Sequence, residues 1–173
     1  MKAFSQVRET IPAKLVFLSR MDYPELNKDV NYLKRLANQK GVVDSVEFVT
    51  RRLSRKDVKE YLAAADVICL PFKLVLSDAP ISILEARALR KPIISTDVAG
   101  ISEMLAGDGH VICPNDVDAL TKTALFILKG STKQADLCEV MKEHSPNDRT
   151  WSRVSDEFHS MVKNLVRLKW KEN

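Results

Sequence analysis

The chain has 173 residues, 45% of them apolar and 29% charged, which suits one globular domain with its own core and excludes a disordered or fibrous polymer. No apolar run approaches the ~18 residues of a membrane span, and the opening MKAFSQVRETIPAK is too polar for a secretory signal. Lys and Arg number 27 against 23 Asp and Glu, so the formal charge of +4 is a mild excess that singles out no polyanionic partner.

Residues 2–10 read as a helix that Ile11-Pro12 ends, and the apolar run 14–19 as a buried strand. A polar loop over 20–29 follows. Val30, Leu33, Leu36 and Ala37 then recur at helical spacing over 30–38, with Gly41 as the stop. Residues 44–50 supply a second strand through Val46, Phe48 and Val49. Ser54 is placed to cap the next helix, and Asp57 three residues on resembles the far half of a capping box. Val58, Tyr61, Leu62 and Ala65 form that helix's apolar stripe, and 66–71 make a third strand.

The stretch 77–103, SDAPISILEARALRKPIISTDVAGISE, is the centre of the chain. Ser77 or Asp78 can cap a helix, Pro80 suits a first turn, and Lys91-Pro92 is the expected stop. A buried-type strand follows over 92–96 and ends at Asp97. Gly100 precedes a short helix over 101–105, Gly107 and Gly109 turn the chain, and 110–113 form a last strand. Asn115 or Asp116 can cap a helix reaching Leu128, and 134–144 predict another. Residues 150–171 predict a long amphipathic helix with Trp151, Val154, Phe158, Met161, Val162, Leu165 and Leu168 on its apolar side. Strands alternating with helices imply right-handed crossovers, hence an α/β fold: a doubly wound, mostly parallel sheet with helices on both faces.

The chemistry is narrowed by what is missing. Cys69, Cys113 and Cys138 are odd in number and unclustered; the first two sit in apolar runs and read as reduced core residues of a cytoplasmic protein. His110, His144 and His159 lack zinc-cage spacing, no nucleophile elbow occurs, and no metal or cofactor is expected. With five glycines in the chain, and Gly41 alone before Gly100, neither a dinucleotide fingerprint nor a P-loop can be built. The acids of the central helix remain. Asp78 and Glu85 lie seven residues apart, nearly two turns, so they share a helix face, and a carboxylate there can accept both hydroxyls of a ribose. The plain alternatives are a cap for Asp78 and a solvent-facing position for Glu85. Cations concentrate at Arg51-Arg52 with Arg55-Lys56, and in the tail at Lys163, Arg167, Lys169 and Lys171. These are either solvated faces or, for the tail, a site for an anionic surface; contact with a membrane stays open, and no nucleic-acid motif is present.

The wording of the central stretch resembles the C-terminal, nucleotide-sugar-binding domain of GT-B fold retaining glycosyltransferases (group 1, family 4). Their hallmark reads approximately S-E-G-F-G-L-V-x-L-E-A-M-A-x-G-x-P-V-V-A-T-D-V-G-G-x-x-E. Upstream VEFVTRRLSRKDVKEYLAAADVICLPF and downstream HVICPNDVDALTKTALFIL are similar to the flanking parts of the same family, and TWSRVSDEF to its last helix. The resemblance implies a Rossmann-like half of a GT-B fold over residues 1–173, with a nucleoside diphosphate sugar as donor and no cofactor.

Carried over by position, Glu85 matches the acid that binds the ribose hydroxyls, and Asp78, one residue out of register, or Ser77 matches the acid that touches the donor sugar. Backbone from Asp78 through Ala79 to Ile81 corresponds to the part that approaches the donor phosphates. Thr50 and Arg51 fall at the nucleobase pocket, while Asp97 and Glu103 match acids that support the site. No residue is assigned as catalytic. The family's first strand, with its G-R…K-G, would precede residue 1, as would the acceptor-binding domain, so the domain is expected to be N-terminally incomplete and inactive alone. Its partners would then be a nucleotide sugar and the acceptor-binding domain or a partner chain. A sheet lacking its central strand is expected to close the gap by direct pairing, re-order, or self-associate. The alternative function is a non-catalytic interaction module that keeps the fold.

Overall fold

Every strand pair among the described residues is parallel, and these strands form two sheets rather than one. The computed structural model describes residues 1–19, 24–75, 80–105, 107–130 and 151–169. In chain order the elements are α1 (Lys2–Thr10), β1 (Leu15–Leu18), α2 (Pro24–Gln39), β2 (Val46–Val49), α3 (Arg55–Ala64), β3 (Ile68–Leu70) and α4 (Ile81–Ala88). Then come β4 (Ile93–Thr96), α5 (Ile101–Leu105), β5 (His110–Ile112), α6 (Val117–Leu128) and α7 (Trp151–Lys169). The helix expected over 134–144 lies outside the described residues.

β4 is the central strand of the β3–β4–β5 sheet, and all four of its residues are buried. Because side chains alternate across a strand, Ile93 and Ile94 serve opposite faces. Ile93 packs with Ile68, Ile83, Ala86, Ile101, Met104 and Leu105, which is the layer made by α4 and α5. Ile94 packs with Val7, Ala124 and Ile127, the layer made by α1 and α6. Fully burying such side chains stabilises the fold by about 1.5–3 kcal/mol each. The double winding implied by the alternating elements is therefore realised around β4.

β1 and β2 form the second sheet, from Leu15 opposite Val46 to Leu18 opposite Val49. Phe17 stacks on Phe48 at 5.3 Å between ring centroids, and Lys14 reaches Glu47 at 2.6 Å, so cross-strand pairs hold this ribbon at each end. No ladder joins β1 to β3. The expected direct closure of the gap is thus corrected. A ladder on β3 could use only three residues, whereas α1 is held on α6 by Val7 and by Thr121 Oγ1 bonding Gln6 Oε1 at 2.6 Å. That docking fixes where the chain leading into β1 begins.

Local chemistry explains most element ends. Ser54 Oγ accepts from Asp57 N–H at 3.1 Å while Asp57 Oδ2 accepts from Ser54 N–H at 3.0 Å, a complete capping box. Asp116, not Asn115, caps α6 by accepting from Ala119 N–H at 2.8 Å. Helix α2 starts at Pro24, six positions before the first apolar repeat, because a first-turn proline loses no helical bond. Helix α4 stops at Ala88, short of Lys91-Pro92: Arg90 takes a left-handed φ of 52°, and the N–H of Lys91 reaches back to Ala86 O at 3.2 Å. Pro80 is the residue flanking the start of α4 rather than part of its first turn. Cys69 and Cys113 are free but exposed, correcting their reading as core: the strands that carry them, or lead to them, lie at the two edges of a three-stranded sheet.

Candidate functional site

Parallel strands present their carboxyl ends on one side, where α/β domains hold ligands. At the carboxyl ends of their own sheets, Thr50 and Arg51 follow β2 in one, and Phe72–Val75 follow β3 and Asp97–Gly100 follow β4 in the other. Two hydroxyls of β4 fasten the exit of β3. Ser95 Oγ donates to Leu70 O at 2.9 Å, and Thr96 Oγ1 to Phe72 O at 2.5 Å. Both side chains are buried, so each bond satisfies a polar group that would otherwise cost about 1–3 kcal/mol. The chain is thereby aimed from β3 toward α4.

Ile83 and Ala86 are fully buried on the inner side of α4, which turns Glu85 to the exposed side. The Glu85 carboxylate has no hydrogen-bond or ion-pair partner among the described residues. Ile81, the first residue of α4, is 70% exposed. Ser77, Asp78 and Ala79, the other donor-side candidates, lie outside the described residues. Two residues beyond Glu85, Arg87 points inward: Nη1 donates to Met104 O at 2.9 Å, and Nη2 pairs with Asp108, which is 5% exposed. Sequence reading missed this pair. Its one signal is an arginine where the hallmark has methionine.

The supporting acids divide. Asp97 Oδ1 accepts from Ser102 Oγ at 2.9 Å, tying the end of β4 to the first turn of α5, while Glu103 is exposed on α5. Thr50 is half-buried, and Arg51 Nη1 donates to Asp57 Oδ2 at 3.4 Å. The Asp57 carboxyl is held below the usual carboxylate range, first by the Ser54 N–H bond, then by the Ser54 hydroxyl, with Arg51 adding to both. Among the described residues no cluster of three or more His, Cys, Asp or Glu side chains is placed to hold a metal ion.

With the fold and these positions in view, the family model described as "Glycosyl transferases group 1" matches residues 1–130. The chain belongs to that family. Glycosyltransferase relatives agree in sequence and in shape. A protein of Bacillus subtilis (strain 168) named as the teichuronic acid biosynthesis glycosyltransferase TuaC is 34% identical over 90 residues, covering 51% of this chain and 21% of that protein. WaaG, a glycosyltransferase involved in lipopolysaccharide biosynthesis, superposes with a TM-score of 0.67 at 24% identity, covering 83% of this chain and 37% of WaaG. Anabaena HepE, solved in complex with UDP, superposes with a TM-score of 0.73 at 16% identity over 94% of this chain and 44% of its own. The chain therefore spans less than half the length of these relatives, and it shares with the last two the GT-B type of α/β fold.

Two departures of this glycosyltransferase chain from the hallmark acquire a backbone meaning. Arg90 stands where the motif has the glycine before its proline, and Ala99 where it has the first of two glycines. Both adopt left-handed φ, 52° and 49°. The backbone shape that glycine favours is retained without the glycine.

Proposed function

We propose that this chain is the donor-binding part of a retaining group 1 glycosyltransferase, which transfers a hexose from a nucleoside diphosphate sugar to an acceptor. The observation that carries the reading is Glu85: an exposed carboxylate, unpaired among the described residues, on α4, the helix that follows the carboxyl end of β3. A carboxylate so placed can accept two hydrogen bonds from vicinal hydroxyls, and ribose supplies such a pair. HepE binds UDP on a similar scaffold, which supports a uridine or related nucleotide as the first ligand to try. Asp78 or Ser77 would meet the sugar, the backbone from Ala79 to Ile81 the phosphates, and Thr50 and Arg51 the base; Asp97 and Glu103 would hold the surrounding loops.

The acceptor is taken up by protein beyond this domain, so the chain alone binds donor without transferring sugar. Titration of the chain with UDP-glucose, followed by amide shifts, tests the reading. Shifts centred on α4 are expected, and Glu85→Gln should weaken binding roughly tenfold to a hundredfold, the loss of charge-assisted hydrogen bonds worth about 1.5–3 kcal/mol. No shifts near Glu85 with either UDP-glucose or a GDP-sugar overturns it and favours an interaction module that keeps the fold.

A further inference from the structure

Helix α4 is short. Its eight residues rise over about 12 Å, and no side chain caps its start at Pro80. It enters the core through Ile83 and Ala86, both fully buried in the layer that holds Met104 and Leu105 of α5. Apolar contact has no preferred direction, so two such anchors, one of them a single methyl group, resist removal of the helix better than its turning about its own axis. The directional restraint is Arg87. Among the described residues, its side chain makes the only side-chain hydrogen bonds between α4 and another part of the fold.

That restraint has two points. Nη1 donates to Met104 O at 2.9 Å, in the last turn of α5, and Nη2 pairs with Asp108 just beyond it. The partners are themselves fixed: Asp108 N–H donates to Leu105 O at 2.7 Å, and Leu105 is fully buried. Asp108 is 5% exposed and its Oδ1 is buried with no partner, so among the described residues Arg87 alone answers this carboxylate. The hallmark has methionine at this position, which carries no proton to donate. At about 100° per residue, Glu85 and Arg87 stand roughly 200° apart around the helix, on nearly opposite sides. Any turn of α4 that displaces Arg87 therefore swings Glu85 through the same angle. A binding contact of this kind tolerates only about 10–20° of misorientation.

We propose that the Arg87–Asp108 pair is a positioning device for the donor. By locking α4 against the end of α5, it sets the angle at which Glu85 meets the ribose hydroxyls, without touching the donor itself. The inference rests on the reading of Glu85 as the ribose acid and adds the buried pair that keeps this acid in place.

The test compares UDP with dideoxyuridine diphosphate, which lacks both ribose hydroxyls, by amide-shift titration of the full chain. The native chain should bind UDP roughly tenfold to a hundredfold more tightly than the dideoxy analogue. In Arg87→Met this advantage should shrink to about threefold or less, while affinity for the analogue stays within about twofold of native, because the misplaced group is the one that reads the hydroxyls. Asp108→Ala should do the same. There the guanidinium, already 20% accessible, can turn to solvent, so this variant decides should Arg87→Met fail to fold. Circular dichroism and a urea titration establish that each variant is folded where binding is measured. A pair that only stabilises the fold would lower the urea midpoint and leave the ratio of the two affinities at its native value; that result overturns the positioning role alone. An equal loss of affinity for both ligands overturns it too. A native chain that binds both ligands equally removes Glu85 as the ribose acid, and the positioning role falls with it.

Discussion

Arg90 shows how one residue can obey a motif's geometry while breaking its letter. Its left-handed φ of 52° ends α4, and a side chain there strains the backbone by about 1–3 kcal/mol, a cost that glycine avoids. Arg90→Gly is therefore expected to raise stability by about 1 kcal/mol, read as a higher urea midpoint with an unchanged slope. His110 gives a second residue-scale outcome. Burial holds its pKa below the usual 6.5, and its Nε2 is buried without a partner. Between the folded and unfolded pKa values the unfolded chain binds more protons, so stability falls as pH drops from 6.5 through the folded value. Urea midpoints between neutral and mildly acidic pH should show this slope, and His110→Gln should flatten it. Neither feature was legible beforehand, since φ angles and burial are properties of the packed chain. The carboxylate of Glu85 was legible as a candidate from its two-turn spacing to Asp78 and its place in the hallmark, while the side of the helix it takes follows from the burial of Ile83 and Ala86.

At the scale of elements, strong local signals translated directly. Helix α1, the short helix α5 and the cap at Ser54 occur where side-chain spacing and capping chemistry put them. The misses lie where local signals are weak: the polar first turns of α2 carry no apolar repeat, and the early end of α4 depends on hydrogen bonds back to Ala86 and Arg87. The Arg87–Asp108 pair was equally hidden, because it joins positions 21 apart in the chain. It fastens α4 to the turn before β5, with a second bond to the end of α5 at Met104. Removing one partner of a buried pair leaves the other charge uncompensated. Arg87→Met is expected to cost about 3 kcal/mol, measured by chemical denaturation. Asp108→Asn in that background should recover part of the loss, which a simple packing defect at position 87 would not show.

For the whole molecule, sequence alternation announced the α/β class and parallel pairing, and the resemblance announced a missing central strand; that β1 and β3 do not pair directly across the gap emerges only from the structure. β1 and β3 each keep an edge without a ladder, whereas β4 is paired on both sides. Amide hydrogen exchange should reflect this, with the N–H groups of β4 protected by several orders of magnitude more than those on the free edge of β3. Equal protection would mean that another strand occupies the edge in solution. The docking of α1 on α6 has a further consequence, in time rather than in space. Gln6 and Thr121 meet across 115 positions, and Val7 packs on Ala124 and Ile127. At a synthesis rate of about 5–20 residues per second, α1 leaves the ribosome roughly 6–25 s before its partner helix is complete. Throughout that interval its apolar side has no native surface to cover it. Helix α1 is secured only once α6 has been made, and the nascent chain offers a holding chaperone a long window in which to bind it.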